Sequence, residues 1–75
     1  MPAPNRVLRE FREKLGMTQA DFGREADLSG NSIAQMELGK QALGGIIVLR
    51  IEDAYEDAMQ DAGITVSDLL RGSLD

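Results

Sequence analysis

One helix-opening device occurs twice within residues 17–40, and it restricts this chain more than any other feature. Thr18 stands three residues before Asp21, and Ser29 three residues before Ser32. A hydroxyl at a helix N-cap accepts a hydrogen bond from a free backbone N–H of the first turn. Each cap is flanked by an apolar pair, Met17 with Phe22 and Leu28 with Ile33. A pair at N′ and N4 staples the entering chain to its helix and fixes the angle of entry. Residues 17–40 therefore read as two short helices joined by a tight turn at Asp27-Leu28.

The remaining helices follow from periodicity and stop signals. Asn5 can cap a first helix running to about Leu15, on which Val7, Leu8, Phe11 and Leu15 form one apolar stripe. Gly16 stands where a left-handed residue would end it. The second helix spans roughly residues 19–26 and the third roughly 30–38, closed by Gly39. Residues 39–45 are expected to form a flexible loop. A fourth helix runs from about Ile46 to Ala62, with Ile47, Ile51, Ala54, Tyr55, Ala58 and Ala62 on one side. Gly63 ends it. Thr65 and Asp68 then have capping-box spacing, Ile64 and Leu69 form a third staple, and a brief fifth helix covers 66–71 before Gly72. Met1 to Pro4, with two prolines, is expected to be disordered. The expectation is an all-α, five-helix single domain over residues 1–75.

Composition excludes several functions. There is no cysteine and no histidine, so disulfides and ordinary structural zinc sites are ruled out. An enzyme is disfavoured: the usual base and nucleophile are missing, and the carboxylates lie on a helix surface rather than in a recognisable pocket. No cofactor or metal is implied. No apolar run approaches the roughly 20 residues that span a bilayer, and the N-terminus lacks the basic-then-apolar form of a secretory signal. The expected location is the cytoplasm.

The formal charge of −5 argues against a nucleic-acid partner at first sight. Its distribution softens the objection. Residues 1–45 balance Arg6, Arg9, Arg12, Lys14, Arg24 and Lys40 against Glu10, Glu13, Asp21, Glu25, Asp27 and Glu37. Residues 46–75 set Arg50 and Arg71 against Glu52, Asp53, Glu56, Asp57, Asp61, Asp68 and Asp75. All the excess acid lies outside the two stapled helices. A neutral end can still dock on phosphate through one face, though non-specific binding should be weak.

Two runs carry a family resemblance: Leu15-Gly16-Met17-Thr18-Gln19-Ala20-Asp21-Phe22 and Ser32-Ile33-Ala34-Gln35-Met36-Glu37-Leu38-Gly39-Lys40. With Gly63-Ile64-Thr65-Val66-Ser67-Asp68-Leu69-Leu70 near the end, their order resembles the Cro/repressor (XRE-type) helix-turn-helix family, and in particular lambdoid phage repressor headpieces. The resemblance covers Leu8 to about Leu70. It implies a compact lambda-repressor-like fold with the helix-turn-helix at helices 2 and 3.

The resemblance also implies roles. The third helix would enter the major groove N-terminus first. Thr18 and Gln19, at the start of the second helix, would sit on a DNA phosphate, with the helix dipole adding to the attraction. Ser29, Gly30, Asn31, Ser32 and Gln35 would form the exposed face of the recognition helix. Asn31 and Gln35 are the candidates for base reading, since both amides can pair bidentately with adenine. Lys40 falls where the family loop approaches the DNA backbone; a solvated loop lysine is the other reading. Arg9 and Arg24 are weaker phosphate candidates. Arg12 and Glu37 would form a partly buried structural ion pair.

This sequence departs from the family at four places. Asp27 occupies a turn position where glycine is usual, although aspartate tolerates a left-handed conformation. Gly23 replaces a small alanine, at up to about 1 kcal/mol of helix propensity. Gly30 replaces a side chain that commonly reads a base, which shifts weight to shape and phosphate contacts. The fourth helix is extended and carries the acidic run Glu52 to Asp61, either a solvated face or a surface for a basic protein partner. The resulting expectation is a repressor-type transcription regulator. It would bind an inverted-repeat operator in double-stranded DNA as a homodimer, paired through Ile64, Val66, Leu70 and Leu74. The competing reading is a protein-interaction module, such as an antitoxin or accessory factor, that uses the acidic helix 4.

Overall fold

The computed structural model describes residues 3–73. Met1 and Pro2 of the segment expected to be disordered, and Leu74 of the expected pairing surface, lie outside the described residues. Five helices follow in order: α1 Arg6–Lys14, α2 Gln19–Glu25, α3 Gly30–Glu37, α4 Gly45–Ala62 and α5 Val66–Arg71. Each expected helix is present, with ends within a residue or so of the expected ones.

The caps form as their residue types require. Thr18 Oγ1 accepts from Asp21 N–H at 3.1 Å and Ser29 Oγ from Ser32 N–H at 3.0 Å. Thr65 and Asp68 make the reciprocal pair of a capping box. At the end of α3, Gly39 has φ 80°. Its N–H and that of Lys40 return to the carbonyls of Met36 and Gln35 at 3.1 and 2.9 Å. This is a Schellman closure, and Gln41 N–H joins it on Gln35 at 3.2 Å. The loop expected to be flexible is thus tied back to α3 at its start.

The core is built around three rings. Phe22 and Tyr55 stack with centroids 4.4 Å apart, and Phe11 meets both edge-on at 6.0 Å. Leu8, Ile33, Met36, Val48, Ile51, Met59 and Leu69 are buried around them, drawn from all the helices except α2, which contributes Phe22.

Helix α4 corrects the expected stripe. Its buried residues are Val48, Ile51, Tyr55 and Met59, while Ala54 is exposed and Ile47, Ala58 and Ala62 are only half-buried. The larger side chains remove more apolar area from water than the alanines would. The helix is also kinked: Tyr55 has φ −127° and ψ 28°, outside the helical range.

Asn5 does more than cap. Its Oδ1 accepts from Leu8 N–H at 2.9 Å, and its Nδ2 donates to Leu69 O of α5 at 2.9 Å. Its backbone N–H donates to Glu37 O at the end of α3 at 3.0 Å. Arg6 N–H completes the seam on Gly72 O at 2.9 Å. One buried asparagine thereby joins the ends of α1, α3 and α5.

Candidate nucleic-acid interface

Helices α2 and α3 are held together by absent side chains. A Cβ on Gly23 would lie 2.7 Å from the Leu28 carbonyl oxygen, and one on Gly30 would lie 2.9 Å from Ala20 Cα. Neither backbone can yield cheaply, so the two glycines allow the helices to cross at this distance. Asp27 takes φ 59° in the turn, the left-handed value anticipated for it. Leu28 N–H then reaches Gly23 O at 2.8 Å and Asp27 N–H reaches Arg24 O at 3.2 Å. The turn is a Schellman closure in which aspartate occupies the usual glycine position.

Behind this unit lies a buried charge lock. Arg12 of α1 donates through Nε and Nη2 to the Glu37 carboxylate at 2.6 and 3.0 Å, and through Nη1 to Met17 O at 2.9 Å. Its side chain is 14% exposed and that of Glu37 only 5%. The hydrogen bonding of Arg12 to the Glu37 carboxylate raises the Arg12 pKa above its already high ordinary value, so the guanidinium stays charged. The pair ties α1 to the end of α3 and to the entrance of α2. It is the structural ion pair that the resemblance implied.

Each candidate contact residue has a definite place. Thr18 is exposed and occupied in capping. Gln19 is half-buried, and its Nε2 donates to Glu37 Oε1 at 3.1 Å, so it joins the charge lock instead of standing free at the helix start. An amide nitrogen carries two hydrogens, and the second remains available. Ser29 is exposed and donates to Ser32 Oγ at 3.1 Å. Asn31 is exposed and Gln35 half-buried; neither side chain makes a hydrogen bond among the described residues. Lys40 is exposed just beyond α3. Gly30, Ser32 and Gln35 depart from the expected exposed face: all three are half-buried, Gly30 because its Cα side packs on Ala20, while Ser29 and Asn31 are exposed.

The weaker cations are engaged. Arg9 pairs with Glu13 at 3.4 Å and Arg24 with Asp21 at 3.0 Å, both exposed pairs within one helix. Such pairs are weak, so either arginine could exchange its partner for a phosphate. One residue escaped the sequence reading. Leu38 ends α3 with 56% of its surface exposed, and with Pro4, Arg6, Arg9 and Ala34 it lines an open groove of about 490 Å³ beside α3. Its three-residue spacing from Gln35 was the available signal. Among the described residues no group of His, Cys, Asp or Glu could hold a metal ion.

The arrangement presents amides, hydroxyls and one lysine from a short helix and its flanks. It is suited to hydrogen-bonding with polar edges in a groove, and the helix starts of α2 and α3 have the polarity that attracts anions. Residues 8–56 match the model of a family described as helix-turn-helix. The match begins in α1, contains every candidate contact residue and ends one residue past the kink of α4. No curated protein and no solved structure matches the chain.

Proposed function

The chain belongs to the Cro/repressor (XRE-type) helix-turn-helix family of DNA-binding transcriptional regulators, and from that premise we propose that it reads a specific operator as a repressor. The observation that carries the proposal is the face of α3. Asn31 and Gln35 lie one helical turn apart, their side chains without a hydrogen bond among the described residues, on a helix whose N-terminus is capped and whose inner side is fixed by Ile33 and Met36. Gln35 and Asn31 would pair with base edges. Thr18, Gln19 and Lys40 would hold the phosphates around them, with Ser29 and Ser32 at the groove entrance.

The operator would be an inverted repeat bound by a homodimer. A dimer places two recognition helices about one DNA turn apart. Leu70, 51% exposed on α5, with half-buried Val66 and Ile64 beside it, supplies the pairing surface within the described residues. Among those residues no helix is long and apolar enough to cross a membrane, and the proposed site of action is the cytoplasm.

One observation favours a second reading. Ile46 and Leu49 are 73% and 57% exposed on α4, on the same helix as Glu52, Asp53 and Glu56. A basic protein partner with apolar anchors would suit that surface.

Selection from random DNA duplexes, followed by a salt titration on the enriched sequence, tests the proposal. The expected result is an inverted-repeat consensus bound with a shallow salt slope, because few phosphates are neutralised. Absence of enrichment at low salt would overturn it and favour the protein partner.

A further inference from the structure

We propose that Tyr55 is a positioning residue for DNA reading: its hydroxyl selects the conformation of the α2–α3 turn and thereby sets where the recognition helix begins. The proposal rests on the operator-binding reading and adds a residue outside the contact face.

The argument starts from hydrogen bonds at the end of α2. In an uninterrupted helix the Phe22 carbonyl would accept from Ala26 N–H. Here Ala26 N–H goes to Gly23 O at 3.0 Å, and Leu28 N–H goes to the same oxygen at 2.8 Å. That double use of Gly23 O tightens the helix into the turn. It also withdraws the helical partner of Phe22 O in a residue with no exposed surface. A buried carbonyl without a donor is costly. The Tyr55 hydroxyl supplies the donor at 2.7 Å.

The hydroxyl is placed by the kink of α4. Tyr55 is the residue whose backbone leaves the helical range, and its ring is held flat on Phe22. Met17 Sδ, at the entrance of α2, lies 3.8 Å from the same oxygen. Arg50, from the preceding turns of α4, adds a longer contact to Asp27 O at 3.3 Å. Helix α4 thus grips both the end of α2 and the turn. Without the hydroxyl, Phe22 O can be satisfied by recalling Ala26 N–H. That would extend α2 by one residue and loosen Leu28 and the Ser29 cap that follows it.

The test compares Tyr55→Phe with the wild type. The ring stays, so the aromatic core and the fold are retained, and helical content by circular dichroism should match. Two readouts follow. Affinity is measured on the selected duplex and on a scrambled one, well below the melting temperature. The expected result is a loss of about threefold to tenfold on the selected duplex alone, the worth of one neutral hydrogen bond, with an unchanged salt slope. Amide hydrogen exchange of the free protein should quicken at Leu28 but not at Ala26, which keeps a carbonyl partner, nor at Leu69.

Unchanged discrimination between the duplexes would overturn the proposal. So would equal losses on both, or exchange quickened throughout, because either means the hydroxyl only adds stability. The wild type is measured first. If it fails to separate the duplexes, the operator reading falls and this proposal with it. If it separates them and Tyr55→Phe does so equally well, this proposal falls alone.

Discussion

The two halves of this small molecule are stabilised differently. From Thr18 to Lys40, every helix start has its own hydroxyl cap, the crossing is set by two glycines, and a buried ion pair backs the unit. From Gly44 onward, α4 starts without a side-chain cap, bends at Tyr55 and exposes Ile46 and Leu49 among carboxylates. The ion pairs there, Arg50 with Asp27 and Arg71 with Asp68, are exposed. The first half is specified locally and carries the proposed contact side chains. In the second half only the short α5 has a local cap, the Thr65–Asp68 box; α4 is specified by packing and supplies the platform. The family match covers the whole first half and runs on into α4, ending at residue 56.

Removing charge from each half should show the largest contrast. Arg12→Met leaves the Glu37 carboxylate buried with only Gln19 beside it. The expected loss is about 3 kcal/mol, read as a fall of about 10–20 °C in melting temperature. Arg71→Ala, at an exposed pair, should change stability by less than about 0.5 kcal/mol. Comparable losses for the two would break the comparison.

Glycines provide the next contrast. Gly23→Ala forces a Cβ against the Leu28 carbonyl and should cost about 1–3 kcal/mol in urea unfolding despite the better helix propensity. At Gly45 nothing lies within 4 Å of an added Cβ, and Gly45→Ala should stabilise by up to about 1 kcal/mol.

On DNA, Gln35→Ala should cost about 1–3 kcal/mol on the selected duplex and little on a scrambled one. Gln60→Ala, exposed on α4, should cost nothing on either. Equal loss on both duplexes for Gln35→Ala would remove its base-reading role.

The smallest effect concerns acid. The Thr65 N–H, followed by the Thr65 hydroxyl and Arg71, holds the Asp68 carboxyl below its ordinary value of 3.8. The folded protein binds this proton less readily than the unfolded chain. The cap's contribution is therefore complete above the ordinary value and is lost as pH falls through the lower, folded one. Melting temperature should decline slightly more steeply with acid in the wild type than in Asp68→Asn.

What the sequence disclosed follows the same division. The caps, staples and the left-handed Asp27 involve residues three to five apart, so their chemistry is visible in a short window. The contacts that escaped notice join distant positions. Gln19 meets Glu37 across 18 residues, Tyr55 meets Phe22 across 33, and Asn5 meets Leu69 across 64. Residue types alone cannot announce such partners. The α4 stripe was misread for a related reason: Val48 and Met59 outweigh neighbouring alanines only once the facing helices are in place. Gly30 looked like a missing contact residue until Ala20 was found packed against it.

The most direct test of the account is to map backbone amide chemical shifts by NMR while the selected duplex is titrated into the protein. The account predicts that the large shifts fall between Thr18 and Gln41, with the largest around Asn31 and Gln35, and that residues 56–62 of α4 stay still. Shifts concentrated on Glu52 to Asp61, with α3 unaffected, would contradict it.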